Sequence, residues 1–114
     1  MSQTITTDTP VLDLLERMTL DSLDTSSLDA QSIALVRLAA LVASGAPSAS
    51  YALNLAAASD VGLDADDVRG VLAAIAPIVG TSRVVAATGR IVLAIGVAIE
   101  VASAEMDDEL AADG

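Results

Sequence analysis

Leu28–Pro47, LDAQSIALVRLAALVASGAP, reads as a complete helix with both of its ends. Asp29 suits an N-cap, because its carboxylate can accept the backbone N–H groups that open a helix. Gly45 suits a stop, because glycine takes the left-handed conformation past a helix end without a steric cost. Between them Ile33, Leu35, Val36, Leu38, Ala39, Ala40, Leu41, Val42 and Ala43 cover nearly every face. A helix that is apolar all round is expected to be buried all round. Arg37 is the exception inside it.

The neighbouring segments extend the helical pattern. Pro10 can sit at a helix start, and VLDLLERM places Val11, Leu14, Leu15 and Met18 at helical spacing. This predicts a short amphipathic helix, followed by a polar connector over 19–27. Residues 1–9 are polar and expected to be disordered. Pro47 fits the first turn of a third helix, which runs to about Ser59, and Gly62 breaks the pattern. Asp64 is the next N-cap, with Asp66 and Asp67 in the first turn, where acids favour the positive helix end. The fourth helix, about 65–78, carries Val68, Val71, Leu72 and Ile75 on one face and is closed by Pro77 and Gly80. The fifth begins near Thr81 and runs through TSRVVAATGRIVLAIGVAIEVASA, with Gly89 and Gly96 on nearly one face. The tail EMDDELAADG is acidic and expected to fray. No segment alternates convincingly with period two. The expectation is an all-α chain of about five helices, with a single domain over 10–104 and an acidic tail over 105–114.

Composition narrows the chemistry. Hydrophobic residues make up 54% of the 114 residues, and the formal net charge is -11. All five bases are arginines, at 17, 37, 69, 83 and 90. There is no Cys and no His, and Tyr51 is the one aromatic. Without Cys there is no disulfide, thiol or iron–sulfur chemistry. Without Cys and His, the usual structural zinc sites and histidine base catalysis are also gone. The aspartates at 64, 66 and 67 read as a helix start, because the rest of a calcium-binding loop is missing. No metal or cofactor is therefore expected. The negative balance supplies no basic footprint for nucleic acid.

The mean hydropathy of +0.65 raises the question of a membrane. The richest run lies between Arg90 and Glu100, and it has about half the roughly 20 apolar residues that a spanning helix needs. MSQTITTDTP has neither a basic start nor an apolar core, so no signal peptide is read there. The expectation is a cytoplasmic protein.

A domain of this size buries only about two thirds of its chain surface. The apolar residues here exceed what such an interior holds, and large exposed apolar patches are rare on soluble monomers. A closed homo-oligomer is expected, with the second and fifth helices as the contacting elements. Arg37 and Arg90 are expected to pair with acids across helices or subunits.

LDAQSIALVRLAALVASGAP followed by SDVGLDADDVRGVLAAIAPIVGTSRVVAA resembles the carboxymuconolactone decarboxylase family, which includes the alkylhydroperoxidase-D-like proteins. The shared features are an apolar helix with an embedded Arg ending in a Gly-Ala-Pro turn, a following helix, an acid-rich cap, and a helix ending in a Pro-x-hydrophobic-Gly step. The likeness covers about Leu28 to Leu93. It implies an alkylhydroperoxidase-D-like helical bundle that assembles as trimers or hexamers. It also places the family's functional positions. Pro47 and Ser50 stand where the redox members carry their Cys-x-x-Cys pair. Asn54 stands at the His position, and Ala34 is close to the Glu position. Thiol peroxidase chemistry needs an attacking thiolate and a resolving thiol, and this chain has neither. Asn54 does not titrate near neutral pH, as the histidine of the decarboxylase members would.

What remains at that place is a polar group. Ser50, Tyr51, Asn54 and Ala58 follow three-to-four spacing and are expected to share one helix face. A hydroxyl, a phenol and an amide could orient a small ligand in an apolar pocket. Arg83 or Arg90 is the candidate to hold a carboxylate. Three functions are weighed. The first is a structural or small-ligand-binding homo-oligomer, taking a small apolar or carboxylated molecule. The second is a decarboxylase- or isomerase-type enzyme for a small carboxylated ring compound, which requires an arginine in the same pocket as Tyr51 and Asn54. The third is a helical protein-interaction module.

Overall fold

The computed structural model describes residues 9–113 of the chain, with side chains as far as Gly96 and at Ala104. The described residues form five α-helices and no strand: α1 (Pro10–Thr25), α2 (Ala30–Ser44), α3 (Ser48–Asp60), α4 (Ala65–Val79) and α5 (Thr81–Asp113). The fold class is all-α, as the sequence predicts. The polar start of the chain, apart from Thr9, lies outside the described residues.

The helix ends follow local chemistry. Asp29 Oδ1 accepts from the Ser32 backbone N–H at 2.7 Å and caps α2. Gly45 ends that helix at φ 69, with its own N–H returning to the Leu41 and Val42 carbonyls. Asp64 and Asp67 cap α4 reciprocally, each side chain accepting from the other's backbone N–H. An aspartate at the third position thus completes the capping box that Glu or Gln more often makes. Gln31 Nε2 donates to the Val61 carbonyl at 2.8 Å and ties the start of α2 to the end of α3.

Helix α2 is the hub, packing against α3, α4 and α5, while α5 also packs against α3 and α4. The core is small-sided. Ala34, Leu38 and Val42 form the buried row of α2, four residues apart. Leu38, Val42 and Ala46 meet Tyr51 of α3 and Ala87, Ile91 and Ala94 of α5. Val68, Val71, Leu72 and Ile75 of α4 close the periphery, the face read from its periodicity.

Two expectations are corrected. Helix α1 does not end near Met18; it runs to Thr25 and leaves only a short connector before α2. The hydroxyls of Thr19 and Ser22 fold back onto the Leu15 and Thr19 carbonyls, so they do not compete with the helix. Helix α5 continues through the acidic segment to Asp113, a stretch rich in the helix formers Ala, Glu and Leu. Helices α2 and α5, expected to need a second copy to cover them, keep apolar surface that the described residues leave exposed. Val36 is 56% exposed, and Val85 and Val92 are each 64% exposed. A monomer has too few helices to surround two of them.

Candidate functional site

Successive residues on a helix turn by about 100°. Helix α3 therefore sorts the expected polar face into two rows. Tyr51 and Ala58 point into the core, and Tyr51 is fully buried. Ser50, Leu53, Asn54 and Ala57 lie on the adjacent flank and line a groove between α3, α2 and α1. The single face expected for Ser50, Tyr51, Asn54 and Ala58 is corrected accordingly.

The groove has a volume of about 850 Å³. One wall is α1, which contributes Leu12, Leu15 and Met18, and the floor includes Ala40 and Leu41 of α2. No residue of α1 is buried. It is linked to the body through Arg37, whose Nη2 donates to the Thr19 carbonyl at 3.3 Å and to the Ser22 hydroxyl. Within the chain, among the described residues, Arg37 does not take an acid across helices but a carbonyl and a hydroxyl of α1. Glu16 of α1 also lines the groove and brings a carboxylate there.

Asn54 Nδ2 donates to the Ala34 carbonyl at 3.3 Å. By the resemblance these are the family's His position and, to within about a residue, its Glu position, and here they touch across α2 and α3. Neither can exchange a proton near neutral pH. The groups that can carry charge in the groove come from elsewhere, Arg37 from α2 and Glu16 from α1.

Arg83 and Arg90 are not in this groove. They line a separate hollow of about 350 Å³ with Val42, Gly45, Ser82 and Ala86. Val42 lies five residues beyond Arg37, about 140° further round α2. The two sites flank the buried row of that helix on different sides. Arg83 Nη1 donates to the Ala43 carbonyl at 2.8 Å, which satisfies an open acceptor at the end of α2. Arg90 lies close enough to the Tyr51 phenol for its charge to favour phenolate, against a stronger upward shift from burial. The Tyr51 hydroxyl has no hydrogen-bond partner among the described residues. Among the described residues Arg90 meets no acid, and the ion pair found there is Arg69 with Asp66.

The sequence thus missed Arg37 and Glu16 as groove residues. Arg37 carried a signal, a charge inside an apolar helix. Glu16 carried none, because nothing in the chain before Thr25 says where α1 will lie.

The chain is thus an all-helical, cysteine-free protein with a polar row on α3 beside the second helix. The carboxymuconolactone decarboxylase family model matches residues 10–91, and the chain belongs to that family. The match takes in α1, which the resemblance read from the sequence left out. No curated protein and no solved structure matches the chain. Among the described residues, no helix is long and apolar enough to cross a membrane, and no group of acids is placed to hold a metal ion.

Proposed function

We propose that this protein is a homo-oligomeric, non-thiol member of its family that binds a small, largely apolar molecule in the groove beside Asn54. The observation that carries this reading is the make-up of the groove. Leucine and alanine side chains supply the walls, while Ser50, Asn54 and Arg37 supply a few polar contacts on the α2–α3 side. Pockets that bury small molecules have this balance. Arg37 spends one guanidinium nitrogen on α1. Its remaining N–H groups give a carboxylate on the ligand a partner. Assembly is supported by the apolar surface left on α1, α2 and α5, including Leu12, Met18, Val36 and Val92.

The test is a titration with benzoate followed by amide NMR. Saturable shifts are expected at Ser50, Asn54 and Arg37, with loss of binding in Arg37→Gln. Shifts elsewhere, or none, sink the reading. Sedimentation should give a multiple of 11.4 kDa, and a stable monomer at micromolar concentration sinks the oligomer.

A second reading, a decarboxylase- or isomerase-type enzyme, is favoured by Glu16 and Arg37 lining one groove. The arginine that such an enzyme needs would be Arg37, in place of Arg83 or Arg90. Glu16 would move the proton that Asn54 cannot. Turnover of a carboxylated lactone that is lost in Glu16→Gln, with benzoate binding retained, would separate this reading from simple binding.

A further inference from the structure

Two of the five bases of this acidic chain converge on one hollow outside the groove. Arg83 is held in place by its bond to the Ala43 carbonyl, which leaves its other nitrogens free. Arg90 lies on nearly the same face of α5, about two turns further along. It is partly buried, yet among the described residues no hydrogen bond and no ion pair reaches it. A guanidinium carries five N–H donors, and those of Arg90 are open to an incoming acceptor. The Ser82 hydroxyl opens onto the same hollow. Among the described residues, its lining holds no carboxylate.

We propose that Ser82, Arg83 and Arg90 form a binding site for an oxyanion, the carboxylate or phosphate group of a small molecule, on the flank of α2 away from the groove. The two guanidiniums supply forked donors that match a planar carboxylate or a phosphate. The apolar side chains of Val42 and Ala86 border the remainder of the ligand. The site is independent of the groove and does not rest on the function proposed for it.

The experiment titrates the full-length protein with inorganic phosphate in one arm and acetate in the other, at constant ionic strength held with chloride. The readouts are amide NMR and the fluorescence of Tyr51, the one aromatic residue and a neighbour of Arg90. Saturable shifts are expected at Ser82, Arg83 and Arg90 in at least one arm, and which arm saturates identifies the group. Arg83→Gln and Arg90→Gln should each weaken binding about tenfold or more, the loss of a charged hydrogen bond. Arg90→Lys should retain part of the binding, and helical circular dichroism should be unchanged in all three. Non-saturable shifts, or equal affinity in Arg90→Gln, would overturn the site. So would loss of assembly in Arg90→Gln without added anion, because the arginines would then serve an acid of a second copy.

Discussion

Helix α1 and helix α2 are both rich in leucine, and they end in opposite surroundings. Leu38 of α2 is 2% exposed, whereas Leu12 of α1 is 63% exposed. The difference does not come from composition or from amphipathicity, since α1 has the clearer apolar face. It comes from position in the chain. Helix α2 has α3, α4 and α5 folded around it, and α1 lies outside that group, tethered by Arg37. An apolar face without an in-chain partner is surface left for a ligand or for another copy.

The comparison breaks most sharply at Tyr51. Tyr51→Ala should lower the unfolding free energy by about 3–5 kcal/mol, the cost of an aromatic-sized cavity. Tyr51→Phe should be nearly neutral in a urea titration, because the hydroxyl it removes has no partner. A large loss in Tyr51→Phe would mean that the hydroxyl is bonded after all.

The next largest effect has the opposite sign. Among the described residues, a Cβ added at Gly89 or Gly96 meets nothing within 4 Å. Each Gly→Ala change should therefore raise the stability of the isolated chain by about 0.8–1 kcal/mol through helix propensity. If the exposed face of α5 receives a second copy's helix at close range, the double variant should instead weaken assembly in sedimentation. Leu15→Ala on α1 should cost less than about 1 kcal/mol at the lowest protein concentrations, since the core does not cover it. A cost that grows with concentration would place α1 in the assembly.

The smallest expected effect is set by pH. Burial raises the Tyr51 pKa above the usual 10.0. The folded state therefore favours the neutral phenol. The associated stability is complete below about pH 10 and declines as pH rises through the folded value. Lys, Cys and His are absent, so the phenol is the side chain that titrates in this range. The urea midpoint should fall between pH 9 and pH 11, and Tyr51→Phe should remove that fall. A fall of the same size in Tyr51→Phe would assign it to general charge repulsion.

Much of the fold was legible because helix ends are local. Asp29, Gly45 and Asp64 act on backbone groups within four residues, so their types and positions suffice. The end of α1 was missed because Thr19 and Ser22 can either break a helix or bond back along it, and residue type does not separate the two. At the site, periodicity grouped Tyr51 with Ser50 and Asn54. A turn of about 100° between neighbours was enough to send the phenol to the core and the other two to the groove.

The helical class, the capping chemistry and the absence of thiol and imidazole groups follow from residue identity and near spacing alone. Only the tertiary structure decided that Arg37 and Glu16 share the groove with Asn54, while Arg83 and Arg90 line a different hollow. That partition depends on how helices far apart in the chain are placed around α2, and the side chains carry no local signal of it.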